Sequence, residues 1–403
     1  MNERPNNDGQ SDQGRVGGWQ TSTPEAQGVE SRGLIRVLTA IRDRNLNVHS
    51  LHVVRAGYLV LDACFWPYQS VWPHDLASVT KSFTSTLIGI AIDKGHIPGV
   101  HTRLVDLFPG RTIGHLDELK RAITLEHLLT MSSGLECICE PTELTLERMW
   151  HSTDWAQFML DLPMTDAPGS CFKYSSGGAH LLSAILTEAT GLSACEFARQ
   201  HLFGPLGFQK AIWPSDFSGR SRGWGDLMIT PYDMAKLGYL FLNGGRWNGQ
   251  QIVSTHWVKE ATMPRMTVDE SRRPLSGYGY QWWTTSEGAF VAKGRAGQRI
   301  FVVPASDMVI VTTSALPRHD EQDLDHLVLD GIVPAARSAT PLSSDWEALG
   351  VLSAMVQDIA QPPKDAPAVV PMPDMYLVPN TPTEAASHSV AQQSGASVQG
   401  AAS

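Results

Sequence analysis

Ser78-Val79-Thr80-Lys81 heads the apolar run Phe83 to Ile92, which closes at Asp93-Lys94-Gly95. A serine and a lysine three residues apart on a helix share a face, one turn apart, so the amine can reach the hydroxyl. Leu87, Ile88, Ile90 and Ile92 make the run apolar on all sides, the signature of a helix buried in the centre of a domain. Gly95 supplies the left-handed stop expected just past a helix end. The positive end of the helix dipole would then lie beside Ser78. S-x-x-K spacing also occurs in helices by chance, so the surrounding chain has to supply the rest of a site.

Upstream, Leu34, Val37, Leu38 and Ile41 give Ser31 to Arg44 a helical period. Ser50 to Val54 and Tyr58 to Cys64 are β-branched or aromatic and are parted by Arg55-Ala56-Gly57, a hairpin signal. Downstream, helical spacing returns over Ile123 to Thr130, His180 to Thr190 and Pro231 to Leu242. The pattern turns strand-like at Tyr278 to Thr284, Phe290 to Lys293, Arg299 to Val303 and Met308 to Thr313, with a closing helix over Leu324 to Ala336. Strands at both ends and helices between them predict an α/β (α+β) sandwich. Residues 19–98 and 271–336 would build one antiparallel sheet flanked by helices, and residues 99–270 an inserted, mostly helical domain. A cleft between the two is the natural place for a ligand. Residues 337–360 hold one more helix, Trp346 to Ile359, while 1–18 and 361–403 have the polar or Pro/Ala/Ser/Gln-rich composition of disordered ends.

The chain has 403 residues, 42% of them hydrophobic and 18% charged, and a net charge of −10. That charge, with no basic stripe, argues against a nucleic-acid partner. No run approaches the roughly 20 apolar residues of a membrane span, and Met1 to Gly18 has no apolar core of a signal peptide. The expectation is a cytoplasmic protein acting on a small molecule, without cofactor or metal. Five cysteines form no disulfide framework, Cys137-x-Cys139 lacks the second pair of a zinc site, and the fourteen histidines show no metal-binding spacing. Composition leaves the oligomeric state open.

A lysine-activated serine hydrolase needs a nucleophile with a base, a proton shuttle, two backbone N–H groups facing the oxyanion, and a substrate grip. Ser78 and Lys81 supply the first. Tyr174, in the Gly- and Ser-rich stretch Pro168 to Gly177, can project from a loop as the shuttle. Lys293-Gly294-Arg295-Ala296-Gly297-Gln298 sets glycines and cations inside a strand pattern, a sign of close approach by a backbone or a ligand.

With these elements in this order, the sequence resembles the serine β-lactamase and penicillin-binding superfamily, in its class C-like branch. That branch holds class C β-lactamases, D-alanyl-D-alanine peptidases, family VIII carboxylesterases and 6-aminohexanoate-dimer hydrolases. The resemblance runs from about Gly18 to Ala336. It is carried by Ala77 to Ser82, Leu128 to Leu135, Phe172 to Gly177, Tyr278 to Trp283 and Gly297 to Pro304. It implies Ser78 as nucleophile, Lys81 as its base and Tyr174 as shuttle. An oxyanion hole would be formed by the backbone N–H groups of Ser78 and Gln298. Ser176, Arg295, Ala296 and Gly297 would contact substrate. Two stretches depart from the lactamase pattern. Tyr174-Ser175-Ser176 replaces Tyr-x-Asn, and Arg295-Ala296-Gly297 stands at the Lys-Thr-Gly motif. Both tilt the reading toward esters, with Arg295 able to clamp a carboxylate.

Gly219-Arg220-Ser221-Arg222-Gly223 also fits G-x-S-x-G, but a loop precedes it and no βαβ pattern surrounds it, so Ser221 is a weak second nucleophile. Trp282-Trp283, Trp150 and Trp155 are candidate walls of an acyl pocket, with core packing the commoner use of such rings. The expected function is cleavage of small carboxylic esters through an acyl-enzyme. The alternatives are an amide hydrolase and a non-catalytic penicillin-binding-like module. Loops 136–155 and 217–225 are the expected seat of specificity.

Overall fold

The computed structural model describes residues 15–139, 142–269, 272 and 274–364. Order begins before Gly18: Arg15–Val16 (β1) pairs antiparallel with Trp19–Thr21 (β2). Residues 1–14 and 365–403, which carry most of the expected disordered ends, lie outside the described residues. The hairpin forms as its turn predicts. Val48–Arg55 (β3) runs antiparallel to Tyr58–Cys64 (β4), with Ala56 and Gly57 at positive φ between them.

The other side of β3 is taken by a strand from the far end of the chain. Among the described residues one sheet has ten strands, completed by Met266–Thr267 (β5), Leu275–Tyr278 (β6), Trp283–Thr285 (β7), Phe290–Gly294 (β8), Gln298–Val303 (β9) and Met308–Ser314 (β10). Their order is β1-β2-β4-β3-β10-β9-β8-β7-β6-β5. All pairs are antiparallel except β2 with β4, so the sheet is mixed at that edge rather than purely antiparallel. Both neighbours of β3 are long strands and every residue in it is buried, as its unbroken Val/Leu/His pattern requires.

Tyr278 to Thr284 is not the single strand its aromatic run suggests. The chain turns at Gly279–Trp282, with Gln281 at φ 63°. Gln281 is spent on other contacts: its amide donates to the Leu128 and Leu129 carbonyls, and its own carbonyl accepts from Ser82 Oγ at 2.7 Å. Side-chain and main-chain bonds to two other segments override local strand propensity here.

The principal helices are Ser31–Asp43 (α1), Thr80–Asp93 (α2), Leu125–Leu129 (α3), Leu144–Trp150 (α4), Trp155–Asp161 (α5), Ser176–Thr190 (α6), Pro231–Leu242 (α7), Glu321–Gly331 (α8) and Trp346–Ile359 (α9). The helix α7 belongs in sequence to the middle region yet packs on β10, β9 and β3. Its Gly238 makes that approach possible, because a Cβ there would stand 2.6 Å from Val309 and 2.7 Å from Ile300. The middle of the chain therefore contributes one layer of the sheet's own core. The helices α1, α8 and α9 pack together, and α9 reaches β4.

The helix α2 is buried from Thr80 to Ala91 and lies between α6 and β8. Three of its threonine hydroxyls are paired, whereas Ser85 Oγ is buried without a partner among the described residues. Thr84 Oγ1 donates to the Gly223 carbonyl (2.8 Å), and Thr86 Oγ1 donates to its own helix at Ser82 O (2.7 Å). Thr80 Oγ1 accepts from the Leu227 N–H. A central helix with polar pins to neighbouring segments fixes the height at which Ser78 sits.

Candidate active site

Ser78 lies two residues before α2 rather than inside it, in a 3-10 turn over Ala77–Val79. Ala77 enters that turn at φ 45°, left-handed backbone that costs an L-residue on the order of 1–3 kcal/mol. Its N–H is held by Asp75 Oδ1 at 2.8 Å. Ser78 is half-buried at the mouth of the helix, and Lys81 is 1% exposed beneath it. Lys81 Nζ donates to three acceptors: Ser78 Oγ at 2.9 Å, Ser176 Oγ at 3.1 Å and the Trp224 carbonyl at 3.1 Å. Among the described residues none of the ion pairs includes Lys81.

Ser176 is the first residue of α6, and Ser175 caps that helix by accepting the Gly178 N–H at 3.0 Å. Adjacent serines thus divide the work, one holding the helix end and the other facing Lys81. Tyr174 precedes them with its ring centroid 4.7 Å from Lys81 Nζ. The ring is stacked on Trp283 (5.8 Å, 24°) and meets Tyr278 edge-on (6.5 Å, 84°). The Leu128 to Leu135 stretch holds this loop: the Met131 carbonyl accepts the Lys173 N–H, and the Ser132 carbonyl accepts the Gly169 N–H.

The third element comes from the end of β8. A Cβ on Gly294 would collide with the Leu76 carbonyl and stand 3.1 Å from the Ser78 nitrogen. Only glycine permits this strand to close on the Ser78 turn. The sequence-based expectation placed Gln298 there. Gln298 is instead across the sheet from Gly294, with its side-chain amide donating to the Ser314 carbonyl at 2.6 Å. The backbone shown beside the Ser78 N–H is that of Gly294, and the chain then folds back through Ala296 (φ 62°) and Gly297 (φ 89°) before Gln298 begins β9. Arg295 is exposed, Ala296 half-buried and Gly297 buried against Ser314.

An ionic node behind the turn fixes its shape. Arg299, fully buried, donates to the Gly294 and Gln298 carbonyls, to Asp325 Oδ1 (2.6 Å) and to Glu321 Oε2 (3.0 Å). Glu321 also accepts the Ala296 N–H at 2.9 Å. Burial would raise the Asp325 carboxyl, yet Arg299 and Lys293 hold it below the usual carboxylate range.

Asp75 behaves in the opposite way. Burial, with Asp226 nearby, pushes its carboxyl up to about 6 against the pull of the Ala77 N–H, Arg295 and Arg222. Its folded pKa lies above the unfolded value, so the fold keeps a proton that the unfolded chain releases between about pH 4 and 6. That stability is complete in acid and is lost as pH rises through 6. Asp75→Asn keeps an acceptor for Ala77 and removes the titration. Its unfolding free energy in urea should vary less between pH 4 and 7 than the parent's, by on the order of 2 kcal/mol. Equal slopes would remove Asp75 as the titrating group.

Ser221 does not occupy an elbow. It is buried, its Oγ accepts the Cys195 N–H at 3.0 Å, and its carbonyl accepts from Ser183 Oγ. His52, Asp62 and Cys64 bring ligand-type atoms within 4.8 Å of one another. The Ser70 hydroxyl bridges all three, donating to Asp62 at 2.7 Å, while Tyr232 OH donates to the other Asp62 oxygen. That node ties loop 65–75 to the sheet and α7. Of the tryptophans, Trp282 is core, packed on Phe241 and Phe290, and Trp283 backs Tyr174. Sequence reasoning missed Trp224, whose contribution is a main-chain carbonyl. The Gly223 beside it, buried against the Ala179 carbonyl, was the one available signal.

Three comparisons bear on this arrangement. The family model described as Beta-lactamase matches residues 35–331. The 6-aminohexanoate-dimer hydrolase of Paenarthrobacter ureafaciens is 28% identical over 264 residues, covering 61% of this chain and 67% of that protein. Penicillin-binding protein 4 of Amycolatopsis lactamdurans is 25% identical over 275 residues, covering 58% and 69%. Among solved structures, a family VIII carboxylesterase superposes with a TM-score of 0.63 at 15% identity, covering 78% of this chain and 98% of that one.

Proposed function

The chain belongs to the Beta-lactamase family of serine hydrolases, and from that premise we propose that it cleaves small carboxylic esters through an acyl-enzyme on Ser78. One observation carries the reading: a buried lysine amine 2.9 Å from the hydroxyl of a half-buried serine at a helix mouth. Ser78 Oγ attacks the ester carbonyl, and its proton passes to the pair formed by Lys81 and Tyr174. The carbonyl oxygen gathers charge beside the N–H groups of Ser78 and Arg295, the second donor now assigned next to Gly294 instead of at Gln298. Tyr174 returns the proton to the departing alkoxide, and the alcohol leaves. Water then attacks the acyl carbonyl, gives up a proton to the same pair and frees Ser78 as the acid departs.

Esters are favoured over β-lactams by what stands around the nucleophile. Ser176 faces Lys81 and offers no amide to a lactam side chain, and Ala296 has no hydroxyl for a lactam carboxylate. Each missing hydrogen bond to a charged or polar group is worth about 1.5–3 kcal/mol at most, so p-nitrophenyl butyrate should exceed nitrocefin in kcat/KM by about 10- to 100-fold. Nitrocefin turned over as fast as the ester would overturn this preference. A second reading, hydrolysis of linear amides, is favoured by the likeness to the Paenarthrobacter enzyme and by exposed Arg295 at the mouth, placed to meet a carboxylate. A linear 6-aminohexanoate dimer in the same assay separates the two.

A further inference from the structure

Four aromatic rings stand together beside the Lys81 anchor, and the mechanism makes no use of them. Trp224, whose carbonyl binds Lys81, packs its indole against Trp155 (5.4 Å) and Trp150 (6.3 Å), and Trp155 meets Phe217 edge-on (6.3 Å). The inner two rings are buried at 5% and 4%, whereas Trp150 is 40% and Phe217 64% exposed. Large rings left open this way on a packed aromatic base form a contact surface whose outer faces the described residues leave uncovered. The base itself is rigid. His180, fully buried and bonded to Asp216 at 3.2 Å, wedges against both Trp155 and Trp224, and the Arg222 guanidinium lies 5.7 Å over Trp155 while pairing with Asp226.

We propose that Trp150 and Phe217 form a platform for the acyl group of the substrate, selecting acyl chains that carry an aromatic ring or a long apolar tail. This rests on the Ser78 hydrolase reading and adds the substrate class to it. Continuity decides the occupant: Trp150 packs on the Trp224 ring, and the Trp224 carbonyl binds Lys81, so this surface adjoins the residue that meets Ser78. The leaving group has to lie by Tyr174 to receive its proton, and Trp283 backs that side. The Trp224 side is then left to the acyl group. An aromatic acyl group stacks or meets the Trp150 ring edge-on, the arrangement such rings favour.

The test uses p-nitrophenyl acetate and p-nitrophenyl 4-phenylbutyrate, which share a leaving group and differ in the acyl chain. The wild-type chain should favour the phenylbutyrate. Trp150→Ala should lower the ratio of the two kcat/KM values at least about fivefold, through KM, and Phe217→Ser should lower it in the same direction. An unchanged ratio in both variants overturns the platform. So does a drop that instead follows the leaving group, read as the ratio of 2-naphthyl to p-nitrophenyl acetate. Failure of the underlying reading looks different: Ser78 would then take up no fluorophosphonate in the wild-type chain, and the platform would fall with it. Labelled Ser78 with an unmoved acyl ratio condemns the platform alone.

Discussion

Alanine at position 78 should give a folded chain that turns over no p-nitrophenyl butyrate and takes up no fluorophosphonate. The loss in kcat is expected to be on the order of 10⁴-fold or more, because among the described residues Lys81 Nζ bonds no nucleophile at the helix mouth other than Ser78 and the deeper Ser176. Stability should hardly move. Ser78 is half-buried, and Lys81 keeps Ser176 Oγ and the Trp224 carbonyl as acceptors when the hydroxyl goes. Thermal unfolding within a few degrees of the parent, together with silent activity, separates loss of chemistry from loss of fold. Label retained in Ser78→Ala and lost in Ser221→Ala would transfer the chemistry to Ser221. The structure argues against that outcome, since Ser221 Oγ is buried and engaged with the Cys195 N–H.

Methionine at position 81 should have the second largest effect and a different profile. The side chain is of similar length, so the space stays filled, but the amine is gone. The Trp224 carbonyl and Ser176 Oγ lose a buried donor, which should cost about 1–3 kcal/mol in urea unfolding. Activity should fall by about 10²- to 10⁴-fold, the usual contribution of a positioned base. Both numbers have to move. A variant that loses stability but keeps its rate would make Lys81 a strut under Trp224, with Tyr174 alone taking the Ser78 proton.

Much of this was readable from the chain because the physics is local. Ser78 and Lys81 share a helix face by spacing, and the Arg55-Ala56-Gly57 turn announces the β3–β4 hairpin. Gly294 in a strand pattern signalled close approach, and the approach is to the Ser78 turn itself. What escaped was set by distant contacts. Nothing near Gln281 hints that its amide would tie down α3 and break a strand. The reversal at Ala296–Gly297 puts Gly294 rather than Gln298 on the strand end that closes on the Ser78 turn, because a turn inside a strand-like run redirects every later residue. Likewise α7, helical as its period required, serves the sheet rather than the helical region, through a gap that only Gly238 leaves open.

The pairing of β3 with β10 also governs when the sheet around Ser78 can be complete. Leu51 lies opposite Thr312, and Gly294 is made only shortly before. At roughly 5–20 residues per second a ribosome needs tens of seconds to cover that span. Throughout it, Ser78 has been synthesised but the strand that closes over it has not. The wholly buried β3 waits with one edge unpaired, open to wrong pairing until β10 arrives. The sheet around Ser78 is thereby completed only when nearly the whole described chain exists, and a message cut short before codon 308 yields a polypeptide in which β3 lacks its β10 partner.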